Sequence, residues 1–570
     1  MENKKIAQYF TEIADLLDIM GENPFRIRSY RNGARTVEDL PENLAGLVRE
    51  GGDLTRLPGI GESLAEKIRE IVETGKLKFL DELKKKLPVG LPELLRIEGI
   101  GPKKAKLFYE KAGVDSIQSL EKAAKDGRLH NLFRMGDKTE DNILRAIKNY
   151  QKGAGRFRLD VGFTYAGSIT EYLKPVKELK DLIPAGSLRR RRETIGDLDI
   201  LAICKSSSIL MNRFVKYEDA EDILAHGTTK SSLRLSNGLQ VDVRVMGAQQ
   251  FGSALLYFTG SKSHNIALRT RAQEMGLKVN EYGIFRGKKR IAGKTEEECY
   301  HSLGLPWIPP ELRENRGEIE AAAKGKLPRL IELGEIRGDL HAHTRATDGK
   351  NSIEEMARAA RKLGYAYIAI TDHSKAVKVA GGLDEQALAK HLKKIEKVNE
   401  KLSGIRVLKG VEVDILGDGT MDLNDDILKE CEVVIAAVHY HFNLPEKEMT
   451  KRIIRGISNR YVNILAHPTG RLILEREPYR VNLEEVIKVA VNEGVVLEIN
   501  AHPARLDLND IHSRMAKEMG AKLVINTDAH AISQLGLMRY GIFTARRGWL
   551  EKEDVINTNP VKKLMGLISR

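Results

Sequence analysis

The chain's 570 residues exceed what one hydrophobic core usually organises, and a hydrophobic content of 42% gives each of three or four expected domains a core, as in a globular multidomain protein. No stretch approaches the roughly 18 uninterrupted apolar residues of a membrane span, and MENKKIAQYFTEIADLL has an amphipathic helical pattern unlike a leader peptide, so the expected compartment is the cytoplasm, with no membrane partner. The net charge of +13 is concentrated early, with 52 Lys+Arg against 42 Asp+Glu in residues 1–300 and 33 against 30 in 351–570; a polyphosphate partner and a solvated basic surface explain that excess equally.

Helical periodicity dominates residues 1–150, short β-rich runs follow from about 157 to 300, and strand and helix patterns alternate from 336 onward, an α, then α+β, then α/β order. Prolines 306, 309, 310 and 328 mark a linker before the third block. Cys204, Cys299 and Cys431 are far apart and lack metal-type spacing, so neither a disulfide framework nor a zinc ribbon is expected.

The helical block holds an internal repeat, LPGIGESLAEKI (57–68) and LRIEGIGPKKAKLF (95–108), with a poorer third copy in LFRMGDKTEDNIL (132–144). Each good copy reads as a helix-hairpin-helix. The turn glycines Gly59, Gly61, Gly99 and Gly101 let backbone approach a ligand, and amides at the next helix start favour a phosphate oxygen without reading sequence. One such turn also serves as a plain hinge. Two copies, backed by Lys67 and by Lys103, Lys104 and Lys106, point to duplex backbone.

In ETIGDLDILAI (193–203) the period of two in a strand puts Asp197 and Asp199 on one face, and Asp242 interrupts another alternating run, LQVDVRVM (239–246). Three converging carboxylates repel one another unless divalent metal is bound; Mg²⁺ suits such oxygens while keeping positions for phosphates. A DxD alone fits a solvated turn. AGSLRRRRET (185–194) shifts that balance, because Gly186 and Ser187 can present amides and a hydroxyl to phosphates, with four arginines behind them.

Gly-Ser, the spaced DxD and a third Asp resemble the nucleotidyltransferase superfamily, and LLYFTGSKSHNIALRTRAQEMGLKVNEYGIF (255–285) closely resembles family X DNA polymerases, relatives of DNA polymerase beta. The resemblance covers residues 1 to about 315. It implies a small helical lyase-like domain (1–85), a helical fingers subdomain (86–150), a nucleotidyltransferase palm (151–247), a thumb (248–315) and a linker (316–335). It also implies that Asp197, Asp199 and Asp242 are catalytic with Mg²⁺ or Mn²⁺, and that Gly186, Ser187 and Arg190 bind triphosphate. Tyr257, Phe258 and Gly260 match the sugar-facing turn, and Asn265 and Arg269 match contacts to the nascent pair and template. Where the family has glycine after its arginine pair this chain has Arg191, from which altered loop flexibility or phosphate attraction is expected. Lys67 matches the Schiff-base lysine of family members that remove a 5′-deoxyribose phosphate, and Tyr30 a residue near the 5′-phosphate; a lysine there is equally an ordinary helix-surface residue.

Ten of fourteen histidines follow residue 338, most at the end of a β-type apolar run. His341, His343, Asp372, His373, Glu412, Asp414, His439, His441, His467, His502, Asp528 and His530 lie in or at the ends of such runs, which converge on one face of a parallel α/β barrel. Imidazole with carboxylate suits Zn²⁺, Mn²⁺ or Fe²⁺, and such a cluster can bind phosphate and generate hydroxide near neutral pH. The HxH start, TDH, the isolated Glu and terminal DAH resemble the PHP (polymerase and histidinol phosphatase) family, over about 336–570. That resemblance implies a distorted (β/α)₇ barrel with about three metal ions. Its ligands would be His341, His343, Asp348, His373, Glu412 (bridging), His439, His467, Asp528 and His530. His441 and His502 are then expected as outer or surface residues, and His391 and His512 on helix surfaces.

Together these resemblances imply a monomeric gap-filling repair polymerase acting on gapped or primed duplex DNA and dNTPs. The barrel would serve as a 3′-5′ exonuclease or 3′-end processor, with cleavage at abasic sites as a further expectation. A small-molecule phosphatase and a non-catalytic DNA-end scaffold stay open beside it; intact motifs at both sites weigh against each.

Overall fold

The computed structural model describes residues 3–40, 44–88, 90–97, 99–129, 132, 140–144, 146–147 and 155–569. They form two compact units, Met1–Gly155 and Arg156–Arg570. Among the described residues no helix is long and apolar enough to cross a membrane.

The first unit is helical. Asn3–Met20 and Pro24–Asp39 pack together, the second opened by Asn23, whose side chain accepts the Phe25 N–H, and by proline at its first position. Phe10, Ile13, Leu17, Tyr30, Leu64 and Ile68 form one core; Leu91, Leu94, Ile97, Phe108 and Leu120 form another. The two Gly-Ile-Gly turns have one design. Ile60 and Ile100 are buried and anchor them, while Gly59 (φ +78°) and Gly99 (φ +77°) take the left-handed conformation the bend requires. Gly61 and Gly101 then start Glu62–Thr74 and Pro102–Ala112, neither of which has a side-chain cap, so no side chain of the cap residue occupies the N–H groups of the first turn. The turn of the third, poorer copy lies outside the described residues.

The second unit begins with β1 (Phe157–Arg158), β2 (Leu179–Pro184), β3 (Thr194–Ile195), β4 (Asp197–Cys204), β5 (Ala220–His226), β6 (Lys230–Leu235) and β7 (Gln240–Val245). Five of these make a sheet of order β2-β4-β7-β6-β5, in which β4 and β7 are parallel neighbours. Leu159–Leu173 and Ser207–Phe214 cover its apolar face, Ile169 and Phe214 of the helices being buried in one cluster with Leu198 and Ile200 of β4. The helices Phe251–Thr259, Lys262–Glu274 and Glu296–Ser302 follow, with a small antiparallel sheet of β8 (Lys278–Asn280), β9 (Gly283–Arg286) and β10 (Lys289–Ala292).

Seven strands close the chain: β11 (Gly338–Asp339), β12 (Tyr367–Ile370), β13 (Arg406–Asp414), β14 (Val433–Ala437), β15 (Ile464–Leu465), β16 (Val496–Asn500) and β17 (Leu523–Asn526). Each pairs in parallel with the next. A parallel bridge Ala342↔Ala529, with the Leu340 N–H donating to Asn526 Oδ1, joins the last strand to the first. This is the nearly closed, distorted (β/α)₇ barrel that the resemblance implies. Leu408, Val433, Ile435, Ile464, Val496 and Val524 fill one end of the interior with Leu564 and Ile568. Alternation along the strands carries the same inward face to polar residues, from Val433, Ile435 and Ala437 to His439, and from Val524 to Asn526 and Asp528.

The palm-type sheet and the barrel share a core. Ile473, Leu506 and Tyr540 are buried in the same cluster as Leu159, Leu188 and Ile195. Residues 316–335, the expected linker, run packed: Ile331 donates to the Leu550 carbonyl and Arg316 pairs with Asp510.

Candidate metal centres

On the five-stranded sheet Asp199 of β4 lies directly opposite Asp242 of β7, and Asp197 projects from the same face two residues earlier. Lys230 Nζ is 2.8 Å from Asp242 Oδ2 and Gln240 donates to Oδ1 at 3.0 Å; these bonds hold Asp242 low against the opposing effect of burial. Burial, and then the charges of Asp197 and Asp242, push Asp199 up to about 7. Such mutual repulsion is what a divalent cation relieves, so the donor set fits Mg²⁺ or Mn²⁺.

A pH dependence follows. Below about 7 Asp199 holds a proton that an entering cation must displace, so Mg²⁺ affinity should rise as pH increases from about 6 to 8, with proton release on binding. Because the folded-state value is raised, the metal-free protein should also lose stability as pH climbs from the ordinary aspartate range to about 7. Calorimetric titration in two buffers of different ionisation enthalpy tests the binding half. Proton release that is absent, or that persists in Asp199→Asn, contradicts it.

Gly186 (φ +58°) opens the short helix Gly186–Arg189, and a Cβ there would sit 3.1 Å from Asp199 Oδ2, so both conformation and space call for glycine. Arg190 is largely turned inward: its Nε donates to Glu314 Oε1 at 3.1 Å and it also bonds the Thr259 carbonyl. Arg191 departs from the expectation of phosphate attraction. It adopts φ +59°, the left-handed region that explains the family's glycine, and its guanidinium rests on the rings of Phe163 and Phe543. Asn265 donates to the Tyr257 carbonyl at 2.7 Å, and Arg269 is exposed with its guanidinium 5.8 Å from the Tyr257 ring. Phe258 lies under Arg244, a neighbour of Asp242. Sequence reasoning missed Glu296, buried between Arg189 and Arg313 and held far down the carboxylate range by them despite its burial.

In the first unit Lys67 hydrogen-bonds Ser63 and lies 5.5 Å from the Phe79 ring, which stacks on Tyr30. Lys103 is exposed behind Gly101, and Lys104 bonds the Gly99 carbonyl.

At the polar end of the barrel three groups have their ligand atoms together: His343, Asp348, His373 and His530; His341, His343 and Asp528; and His373, Glu412 and His439. His467 joins them, its Nε2 3.1 Å from Glu412 Oε1. Glu412 is central, reaching His341, His343, His373, His439 and His467 at 2.7 to 3.7 Å. His341 Nε2, both nitrogens of His343 and Glu412 Oε2 are buried without a hydrogen-bond partner. Such orphaned polar atoms are costly, and N/O donors facing one another at these separations fit a cluster of divalent cations. Burial, then His373 and His530, push His343 down to about 4; Glu412 and Asp348 outweigh burial at His373 and raise it to about 10. His467 (φ +27°) and Asp528 (φ +53°) take left-handed conformations that non-glycine residues adopt at a cost, here at the ends of β15 and β17.

The supporting shell was largely missed in sequence. Glu498 Oε1 is 2.8 Å from His341 Nδ1 and its Oε2 accepts the His467 N–H. Its signal was present in VVLEIN, an acid inside an apolar strand. Asp372 accepts from Thr344 and Thr347 and lies 2.9 Å from His391 Nε2, fixing the turn between His343 and Asp348. His391 is therefore buried, correcting its placement on a helix surface. His512 is half-buried too, pushed down to about 4 by burial and then Arg471. His441 is exposed, and the half-buried His502 accepts the Ala504 N–H. Arg505 Nε lies 3.6 Å from Asp528 Oδ2, a cation beside the cluster. Replacing Glu498 with glutamine should weaken metal retention by about 10–100-fold and leave the carboxylate site untouched. Metal content after dialysis measures this; full retention contradicts it.

Four family models match: a helix-hairpin-helix domain over residues 1–77, a SAM-like helix-hairpin-helix tandem over 91–149, the DNA polymerase beta thumb over 254–314, and the PHP domain over 339–502. The chain is 39% identical over 574 residues to the DNA polymerase/3′-5′ exonuclease PolX of Bacillus subtilis (strain 168), covering 100% of both chains. It is 30% identical over 232 residues to a probable phosphatase of a Thermoanaerobacter species, covering 39% of this chain and 90% of that one. It is also 25% identical over 350 residues to DNA polymerase lambda of Arabidopsis thaliana, covering 55% of this chain and 62% of that one.

Proposed function

Because the chain belongs to the family X DNA polymerases that carry a C-terminal PHP domain, we propose that it fills short gaps in duplex DNA and processes 3′ ends at a second, separate centre. One observation carries this reading: a three-carboxylate centre beside Gly186 and a histidine-rich centre occur in one compact unit.

In the polymerase centre Asp197, Asp199 and Asp242 would hold two divalent cations, Mg²⁺ or Mn²⁺. Bound there, such ions would supply Lewis acidity toward the primer 3′-hydroxyl and the leaving pyrophosphate. The Gly186 and Ser187 turn offers amides and a hydroxyl to the triphosphate, Tyr257 and Phe258 face the sugar, and Asn265 and Arg269 face the new pair and template. The Gly-Ile-Gly turns grip phosphates of the duplex, and Lys67 with Tyr30 forms a candidate 5′-end site.

In the barrel, His341, His343, Asp348, His373, Glu412, His439, His467, Asp528 and His530 would hold about three Zn²⁺, Mn²⁺ or Fe²⁺ ions. Bound there, the ions supply Lewis acidity and a nucleophile at neutral pH for phosphodiester hydrolysis. Glu498 orients His341, and Asp372 holds the turn carrying His343 and Asp348. The phosphatase likeness spans 39% of this chain, whereas the likeness to a DNA polymerase/3′-5′ exonuclease spans all of it, which supports hydrolysis of phosphate esters as one of two activities and not a purely small-molecule enzyme.

Primer extension and 3′-end degradation on one gapped duplex, with Mg²⁺ and Mn²⁺ compared, test the reading. Both activities are expected in the full chain. Failure to extend sinks the polymerase half, and failure to shorten or unblock a 3′ end sinks the nuclease half. Borohydride trapping on an incised abasic substrate tests Lys67.

A further inference from the structure

The turn that carries Gly186, Ser187 and Arg190 is gripped from the barrel. Its helix, Gly186–Arg189, is closed by the residues that follow, with the Arg191 N–H donating to the Leu188 carbonyl and the Arg192 N–H to the Ser187 carbonyl, each at 3.0 Å. Arg191 does so at φ +59°, where a side chain is disfavoured. What accompanies that conformation is contact on two sides. The Arg191 guanidinium is 4.7 Å from the ring of Phe163, on the sheet-covering helix Leu159–Leu173, and 4.4 Å from that of Phe543, on the barrel helix Met538–Arg547. The two rings stack with centroids 5.5 Å apart.

Buried charges flank this contact. Arg547 of the barrel, only 4% exposed at its side chain, donates to the Arg190 carbonyl at 2.8 Å and to Glu314 Oε1 at 3.0 Å. The same Glu314 oxygen orients Arg190. The other arm of Arg547 holds Asp510 at 2.7 Å, which Arg316 shares at 3.0 Å. Beyond the turn, Glu193 accepts from Arg471 of the barrel at 2.7 Å. Arg547 and Glu314 are the well-buried members, and removing either leaves its partner uncompensated, whereas Glu193 is part-exposed and adds a weaker tie; the placement of the turn is thus held chiefly by Arg547 of the barrel.

We infer that the barrel is a structural half of the polymerase site: Arg547, Phe543 and Arg471 are positioning residues that fix residues 186–193 for the triphosphate of the incoming nucleotide. This rests on the reading of Gly186 and Ser187 as the triphosphate-binding turn. The barrel surface involved lies outside the nine-ligand cluster, so the metal-dependent hydrolysis does not require it.

Two mild variants of the full chain test this. Arg191→Gly suits the left-handed backbone and removes the ring contacts together with one charge, and Phe543→Leu removes a ring contact while keeping both that charge and an apolar side chain against the shared core. Both should melt near the parent temperature, raise the KM for dNTP by about tenfold, and leave primer–template affinity and 3′-end degradation within about twofold. Arg547→Lys keeps the charge without the planar fork and should show the same split, because a lysine cannot serve the Arg190 carbonyl, Glu314 and Asp510 together. The inference is overturned if dNTP KM stays at the parent value in both Arg191→Gly and Phe543→Leu. It is overturned also if extension and degradation fall in parallel, which reports general loosening. A parent protein that never extends a primer instead removes the polymerase reading itself.

Discussion

Replacing Asp199 with alanine should lower primer extension by on the order of a thousandfold while leaving 3′-end degradation at the parent rate. The size follows from the position. Asp199 lies opposite Asp242 in register and two residues from Asp197, and it is the member of the trio whose charge is most opposed by burial and by its neighbours. Its carboxylate therefore depends most on bound cations, and the cations on it. Alanine also removes the oxygen packed against Gly186, so the phosphate turn loses its neighbour. Single-nucleotide incorporation into a gapped duplex, followed under single-turnover conditions, is the measurement. Extension within about tenfold of the parent would falsify the placement of the polymerase chemistry on this face.

The reciprocal change is Glu412→Gln in the barrel. Glu412 is the one carboxylate within reach of five of the histidines, and each of its oxygens faces imidazole nitrogens at 2.7 to 3.7 Å. Glutamine keeps the shape but halves the acceptor capacity and removes the charge that offsets the surrounding imidazoles. Metal affinity should fall by more than the roughly 10–100-fold expected for an outer partner, and 3′-end degradation should become undetectable while primer extension persists. Metal content and both activities are read on one preparation. A variant that keeps its metal and degrades 3′ ends normally places the hydrolytic centre elsewhere.

The strand ends were legible in the sequence because polar residues interrupting apolar runs stand out at a period of two, as Asp199 and Asp528 do. The supporting residues were not, although some left a trace. His391 was read as a surface residue, yet it shares a helix face with the buried Leu388, Leu392 and Ile395 at spacings of three, one and four. Glu498 sits inside the strand Val496–Asn500, while the histidine that stands out in sequence, His502, lies beyond its end. The ion pairs around Arg190 and Glu193 were beyond reach for another reason. Arg190 and Arg547 are separated by 357 positions, and arginine in a charged helix reads as solvated until the fold buries it. Arg191 gave half its story: its departure from glycine is visible in sequence, but the rings that receive it lie in two distant helices.

The alternation that carries the barrel's inward face from Val433 and Ile435 to His439, and from Val524 to Asp528, also governs which insertions and deletions the gene can accept. Adding or losing one residue within β14 or β17 would turn the ligand outward and bring its apolar neighbour in, so a single-codon change there removes the centre without altering any ligand. The same change in a surface turn on the opposite side of the barrel leaves that phase intact. Length variation among descendants of this chain should therefore collect in the loops and be absent between each strand's first inward residue and its ligand.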